Sequence, residues 1–377
     1  MAHVDKIQTG KVLRYRARWR EPDGSEKSRS FDRKSEADRF AAKVEHDINV
    51  GGYVDPHAGK ITVRTYAEQW RKAQLQHSPA SARDVEGALR VHLYPALGEH
   101  PIASVRPSDV QGWVAGIART LAPATVTKTY SFFATMMKAA VRDGLIAKTP
   151  CVDIHLPKIA KKRVVPLTIE QVAKLMEAVP ENYRPLIHFF AGTGARAREA
   201  FGVTLDRIDF LRRHVTIDRQ LATRNGEAAW KAPKTASSVR TVPLDDGVLE
   251  ALSRHLAANP TTGGLIFTTP DGKALDLTRA YGGGPKVGWF RKAARAVGLS
   301  DEITLHDLRH FYASLLIRNG ANVKLVQARL GHKSATETLD TYGHLWPDAD
   351  EQTRNILNEA LTGLRKADSK FGVLDQT

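Results

Sequence analysis

Three residues in the second half of the chain could together bind an anion. Arg196 follows a tight turn that contains Gly192 and Gly194, and it comes just before a predicted helix. The start of a helix favours negatively charged groups, and an arginine there adds a positive charge. His306 and Arg309 are three positions apart in the segment HDLRH, so a helix would place both side chains on one face. These residues predict a cationic site that includes a titratable imidazole.

Three further residues continue the series along the chain. Lys234 lies in the predicted bend between two strands, where its side chain can both reach and move. His332 follows Gly331 at the start of a predicted helix, and Tyr342 comes ten residues after it in the segment DTYGH. Each of these residue types is common on surfaces or in cores. Their ordered occurrence, rather than any single residue, therefore indicates a functional site.

The composition predicts a polyanionic partner, with nucleic acid first. Lys and Arg number 56 against 41 Asp and Glu, which gives the 377-residue chain a net charge of +15. Hydrophobic residues make up 42%, which is typical of a folded protein. No apolar run is long enough to span a membrane, so we expect no membrane association and a cytoplasmic protein. The 14 histidines and the single Cys151 show no ligand spacing, so we expect no metal.

The first 58 residues predict a small β-β-α module. Between residues 14 and 20 every second residue is an arginine, and this period of two predicts a strand over residues 11–20. A turn over residues 21–24 and a return strand over 27–31 would complete a hairpin, and a helix follows. One face of the first strand would then be a row of guanidiniums that could lie in a DNA groove, formed by Arg14, Arg16, Arg18 and Arg20.

The rest of the chain is predicted to be mainly helical. Four helices are expected in a domain over residues 62–152, and an extended basic linker follows over residues 153–166, with Lys161, Lys162 and Arg163 as candidate DNA contacts. A mixed, mainly α domain with a small β-sheet is expected over residues 167–365, with a tail over 366–377. Its predicted elements include helices over residues 169–178, 184–191 and 198–204, strands over 213–218 and 239–244, and a C-terminal amphipathic helix over 349–365. The predicted fold class is therefore multidomain and mainly α.

This series of motifs resembles the tyrosine recombinase (phage integrase) family. The shared order is an arginine after a TG turn, a hairpin lysine, HxxR, LGH and a final tyrosine. The helical domain is similar to the family's core-DNA-binding domain, and the N-terminal module is similar to the arm-binding domain of phage-type integrases. Arg196 rather than Arg198 is identified as the first arginine, because its distance to Glu199 fits the family pattern.

The resemblance implies a catalytic set. The guanidiniums of Arg196 and Arg309 would stabilise a pentacoordinate phosphate. A phenol with an ordinary pKa near 10 needs a base or nearby cations to attack, so Tyr342 would be the nucleophile and His306 its base. Three residues would have supporting roles. Lys234 would donate a proton to the leaving 5′-oxygen, and His332 would hydrogen-bond the phosphate. Glu199 would orient the arginines.

The family also implies partners and alternatives. A 3′-phosphotyrosine link conserves the bond energy, so neither ATP nor metal nor another cofactor is expected. The implied partners are double-stranded DNA attachment sites, three further copies of the chain in a tetramer, a DNA-bending host factor and an excision factor. The expected location is the nucleoid of a bacterial host. A Xer-like resolvase, a type IB topoisomerase and a DNA-binding protein without catalysis stay open as alternatives.

Overall fold

The computed structural model describes most of the chain, in two compact units formed by residues 1–161 and 162–377. The described residues are 2–9, 12–21, 24–49, 58–160, 163–224, 227–233, 235–261, 264–283, 286–346 and 349–362. Lys161, Lys162, Lys234 and the predicted tail lie outside them, and Arg163 is exposed. Among the described residues no helix is both long and apolar enough to cross a membrane.

The N-terminal module contains one more strand than predicted. Strands β1 (His3–Thr9), β2 (Val12–Arg20) and β3 (Glu26–Phe31) form an antiparallel sheet in that order, and α1 (Lys34–Asn49) follows. The predicted hairpin is present as β2 and β3, but the sequence did not predict β1. The segment HVDKIQT does not alternate apolar and polar residues, so its strand pattern is weak. Its conformation is fixed by pairing along β2.

The predicted arginine row occupies one face of β2. On the opposite face Ala17 and Trp19 are buried, and the Trp19 ring meets Phe40 of α1 edge to face at 5.3 Å between centroids. Arg14, Arg18 and Arg20 are exposed and Arg16 is half-buried. Alternation along a strand places successive side chains on opposite faces, so burial of the apolar face presents the guanidiniums outward.

The helical domain has the four predicted helical regions. Its core includes Phe133, Met136 and Met137, which are all fully buried. The Phe133 ring packs edge to face against Trp113. The helices are α2 (Val63–Lys72), α3 (Pro79–Ala88), α4 (Tyr94–Leu97), α5 (Pro107–Ala118) and α6 (Pro123–Arg142), with a π-helical stretch over Leu89–Leu93 that joins α3 to α4.

The second unit is mainly α with small sheets, which confirms the predicted fold class. Its helices are α7 (Ile169–Ala178), α8 (Arg184–Thr193), α9 (Ala197–Phe201), α10 (Asp246–Ala258), α11 (Leu277–Tyr281), α12 (Trp289–Ala296), α13 (Leu305–Arg318), α14 (Val323–Leu330), α15 (Ala335–Tyr342) and α16 (Ala349–Ala360). Strands β4 (Ile208–Asp209), β5 (His214–Ile217) and β8 (Arg240–Pro243) form one sheet, and β5 and β8 are the two predicted strands. The sequence did not predict two short hairpins, β6 (Gln220–Arg224) with β7 (Glu227–Lys231) and β9 (Gly282–Gly283) with β10 (Lys286–Val287).

Candidate active site

The first arginine is positioned by the turn between α8 and α9. Gly194 ends α8 with a φ of +61°, and a Cβ atom there would lie 2.5 Å from Cδ1 of Tyr312. Both the left-handed backbone and the close approach therefore require glycine. Arg196 then caps α9, and its Nη2 donates to the carbonyl of Gly331 at 3.4 Å. Arg198 is exposed, so the structure turns Arg196 and not Arg198 toward this site.

Arg309 is held in the interior by backbone carbonyls. Its side chain extends from α13, and the residue is only 1% exposed. Nη1 donates to the carbonyl of Gly194 at 2.8 Å and Nη2 to that of Leu330 at 2.7 Å. Burial, with the charges of Arg196 and Arg240, lowers the pKa of Arg309. An anion bound at this site would offset the unfavourable burial of the Arg309 charge and its repulsion by Arg196 and Arg240.

A buried carboxylate links two guanidiniums, one of which was not predicted from the sequence. Glu199 Oε1 accepts from Arg196 Nη1 at 2.9 Å, and Oε2 accepts from Arg240 Nη2 at 2.8 Å. Burial would raise the pKa of Glu199, but Arg240 and Arg196 outweigh it, so the pKa is lowered and the group is ionised. Arg240 and Val242 share the buried face of β8. An arginine at an inward-facing position of an alternating strand was the available signal.

His332 lies between the end of α14 and the start of α15. It is 6% exposed, and its Nδ1 is 2.9 Å from Oγ1 of the fully buried Thr338. Burial, with the charge of Arg309, lowers the pKa of His332 to about 4. The ring is therefore neutral at pH 7, and its Nε2 lies 4.0 Å from Oε1 of Glu337, beyond hydrogen-bond distance.

Tyr342 is the last residue of α15 and is 1% exposed. Its hydroxyl is 2.8 Å from Nδ1 of His310, and its ring lies parallel to the His332 ring with centroids 6.2 Å apart. Burial raises the pKa of Tyr342 to about 12, although Arg309 and Arg196 oppose this rise. The phenol is therefore protonated at neutral pH, and it needs a proton acceptor before it can attack.

His306 and His310 lie one turn apart on α13. Their rings meet edge to face at 4.7 Å between centroids. Part of His306 is exposed to solvent. Burial of the rest of its ring lowers its pKa, and the charges of His310 and Arg309 lower it further. Within the described part of the chain His306 makes no hydrogen bond to Tyr342. The sequence analysis gave His310 no role, although its position one turn after His306 and next to Arg309 was the available signal.

The structure thus brings most of the predicted set together. Buried hydrogen bonds, ring contacts and charge interactions connect five predicted catalytic or supporting groups with two that were missed. Lys234 lies outside the described residues. The connected residues that were predicted are Arg196, Glu199, Arg309, His332 and Tyr342. The two that were missed are Arg240 and His310, and His306 lies at the exposed edge of the site. Among the described residues no group of three or more His, Cys, Asp or Glu side chains could hold a metal.

The arginine row of the N-terminal module meets acidic residues of neighbouring segments. Arg18 contacts Asp5 of β1 at 3.0 Å, and Arg14 contacts Asp32 at 3.0 Å. Arg20 contacts Glu26 of β3 at 3.1 Å. Exposed ion pairs contribute about 0–1 kcal/mol, so DNA phosphates could replace these carboxylates at little cost.

Comparisons with known proteins match both units. A model of the phage integrase family matches residues 165–348, and a model of the phage integrase central domain matches residues 63–157. The integrase of Mycobacterium phage D29 is 28% identical over 327 residues, which are 81% of this chain and 82% of that protein.

Solved structures share the fold. The Tn1549 transposon integrase in complex with transposon right end DNA has a TM-score of 0.68 at 22% identity, covering 80% of this chain and 100% of that one. A lambda integrase tetramer bound to a Holliday junction has a TM-score of 0.60 at 18% identity, covering 85% of this chain and 94% of that one. This chain belongs to the tyrosine recombinase (phage integrase) family, and it is a site-specific recombinase that integrates or excises phage or other mobile DNA.

Proposed function

We propose that this recombinase cleaves and rejoins duplex DNA through a 3′-phosphotyrosine link at Tyr342. The observation that carries the proposal is the burial of Tyr342 beside a cluster of three guanidiniums, two of which are linked by the carboxylate of Glu199. Arg196, Arg240 and Arg309 carry three positive charges, and Glu199 carries one negative charge. The net positive charge of the cluster suits a scissile phosphate, whose charge grows in the transition state.

The phosphate contacts divide among three residues. Arg309 is fixed by two carbonyls and Arg196 by Glu199, so both guanidiniums are oriented before DNA binds. Fixed donors need no rearrangement during the reaction, which makes them effective stabilisers of developing charge. Thr338 is proposed to donate to Nδ1 of His332, which places the ring proton on Nε2 and lets that nitrogen donate to a phosphate oxygen.

Two proton transfers complete the reaction. Lys234 is proposed to protonate the 5′-oxygen as it leaves, because an alkoxide is a poor leaving group. His306, predicted from the sequence to accept the Tyr342 proton, stays a candidate for that role beside His310. The phosphotyrosine link stores the energy of the broken phosphodiester, so rejoining is proposed to require no cofactor.

Peptide mapping tests the attachment residue. The wild-type chain is incubated without metal or ATP with a pool of nicked duplexes that have a randomised central segment, and covalently attached protein is isolated under denaturing conditions. Trypsin releases the peptide of residues 334–354, whose one tyrosine is Tyr342. After nuclease digestion, mass spectrometry should find a nucleotide on this peptide. Attachment at another residue would contradict the assignment of Tyr342. No covalent product with DNA that the chain binds would contradict the proposal as a whole and favour a binding protein without catalysis.

The N-terminal arginine face is proposed to bind arm-type DNA sites, with Lys161, Lys162 and Arg163 as further DNA contacts. The added module supports an integrase over a Xer-like resolvase, which is expected to lack it. We expect Arg16→Ala with Arg18→Ala to weaken DNA binding and to reduce the salt slope by about 0.9 for each phosphate that the chain no longer neutralises. Fluorescence anisotropy over a salt series measures this slope.

The matched control removes the same charge from the other side of the module. Arg39 and Lys43 are exposed on α1, which packs on the apolar face of the sheet. Arg39→Ala with Lys43→Ala should therefore leave affinity and salt slope close to wild type. Equal losses in both double variants would show that net charge alone, and not the β2 face, determines binding.

Assembly is proposed to be a homotetramer on paired attachment sites. The lambda integrase tetramer on a Holliday junction supports this state, as does the apolar stripe that α16 leaves exposed. Ile356, Leu357 and Leu361 are 57%, 50% and 41% exposed, which suits docking on a neighbouring protomer. A DNA-bending host factor, an excision factor and a cytoplasmic, nucleoid-associated location remain expectations from the family.

A further inference from the structure

The Tyr342 hydroxyl already has a proton acceptor within the described site. We propose that His310, through Nδ1, takes the proton of Tyr342 when the DNA strand is cleaved and returns it when the strand is rejoined. This inference rests on the proposed function, because it assigns a role within the same reaction. It differs from the sequence prediction, which gave the base role to His306.

Contact favours His310 over His306. Nδ1 of His310 lies 2.8 Å from the Tyr342 hydroxyl, which is the reach needed for direct proton transfer. His306 makes no hydrogen bond to that hydroxyl among the described residues, and it is exposed, whereas Tyr342 is 1% exposed. His306 therefore lies on the outer side of His310, where a DNA phosphate could approach it. The tyrosine lies on the inner side.

The protonation states fit the transfer. Burial lowers the pKa of His310, Arg309 lowers it further, and Asp307 opposes this shift. The ring is thus neutral at pH 7 and has one nitrogen that can accept. The other groups that face it are Tyr342 and His306, and Tyr342 is protonated because its pKa is about 12. The phenol therefore donates to Nδ1, and the remaining ring proton is on Nε2.

The step balances with the groups already named. The O–H bond of Tyr342 breaks, and its proton moves to Nδ1 of His310. The phenolate oxygen bonds to phosphorus while the bond from phosphorus to the 5′-oxygen breaks, and that oxygen takes a proton from Lys234. Rejoining reverses each transfer: the 5′-hydroxyl attacks phosphorus and gives its proton to Lys234, and the imidazolium of His310 protonates the departing tyrosine oxygen.

His310→Asn separates proton acceptance from positioning. The asparagine oxygen can accept the same hydrogen bond as Nδ1, but it does not take up a proton near neutral pH. Single-turnover cleavage is measured with full-length chain on nicked duplexes selected from the randomised pool for covalent attachment to wild type. We expect His310→Asn to slow cleavage by about 10²–10⁴-fold, the usual contribution of a general base, with unchanged DNA affinity. His214→Gln, on β5, is the histidine control and should cleave like wild type.

Two further readouts respond to proton transfer and not to a structural role. Free imidazole should partly restore cleavage by His310→Ala, because the added base can enter the space that the ring leaves. The wild-type rate should rise with pH through the pKa of His310 and then level off. The His310→Asn rate should keep rising into the alkaline range, since the phenol must then lose its proton to solvent.

The outcomes separate this inference from the proposed function. If wild type forms the covalent complex and His310→Asn cleaves within about threefold of it, the base role is overturned and the proposed function stands. Faster cleavage by His310→Ala also overturns it, because the hydrogen bond would then only restrain the buried tyrosine. A slow His310→Asn variant whose rate levels off at the same pH as wild type overturns it as well. If wild type forms no covalent complex, both proposals fail.

Discussion

Tyr342→Phe should abolish covalent attachment to DNA while binding persists. Phenylalanine keeps the ring that lies parallel to His332 but has no oxygen to attack phosphorus. Loss of the nucleophile can slow an enzyme that forms a covalent intermediate by on the order of 10⁶-fold. We therefore expect no covalent complex on nicked duplexes, wild-type affinity for the same DNA, and normal assembly of protomers on a Holliday junction.

The variant also has a defined cost in stability. Nδ1 of the half-buried His310 would lose its partner, and leaving a fully buried group unpaired costs about 1–3 kcal/mol, which is the upper range for this site. Thermal unfolding should detect this loss, and DNA binding shows whether the variant is still folded. Tyr130→Phe, in the helical domain, is the matched control and should cleave like wild type. Covalent complex formed by Tyr342→Phe would mean that another residue attacks the DNA.

Glu199→Gln should cause the largest loss of stability among the polar substitutions considered. It leaves Arg240, whose side chain is 4% exposed, without its counter-ion, and it weakens the contact that orients Arg196. Removing one partner of a buried ion pair costs about 3–5 kcal/mol. Chemical denaturation should show a loss of that size, and single-turnover cleavage should slow because Arg196 is no longer held in place.

An exposed ion pair of the same unit serves as the control. Arg295 makes two hydrogen bonds to Asp301, and both side chains are more than half exposed. Asp301→Asn should therefore lower the free energy of unfolding much less than Glu199→Gln does. If Glu199→Gln is no more destabilising than Asp301→Asn, then water and not the carboxylate compensates the buried guanidiniums.

The Glu199 effect should depend on pH in one direction. Its pKa in the folded chain is lower than the ordinary value of about 4.5, so ionisation stabilises the folded state above that pH. The contribution is lost as pH falls from about 4.5 through the lower folded value. The difference in unfolding free energy between wild type and Glu199→Gln should thus be constant near pH 7 and shrink below about 4.5. A difference that grows in acid would reverse the assigned sign.

The sequence by itself determined the elements whose signal is local. The arginine alternation in β2, the four regions of the helical domain and the strands β5 and β8 follow from periodicity and turn residues. It also supplied the motif set from Arg196 to Tyr342, because the order of these residue types along the chain can be recognised without the fold. The N-terminal strand β1 was missed, since its seven residues have no clear alternation and depend on pairing with β2.

Only the tertiary structure decided which groups touch. Arg240 meets Glu199 across 41 positions, and Tyr342 meets His310 across 32. Arg309 reaches the carbonyl of Gly194 across 115 positions, which removes its charge from solvent. Burial and the distance between charges set the pKa values and the proton partner of the tyrosine, and both arise from packing between distant helices. The family resemblance implied His306 as the base, whereas the fold places His310 against the phenol.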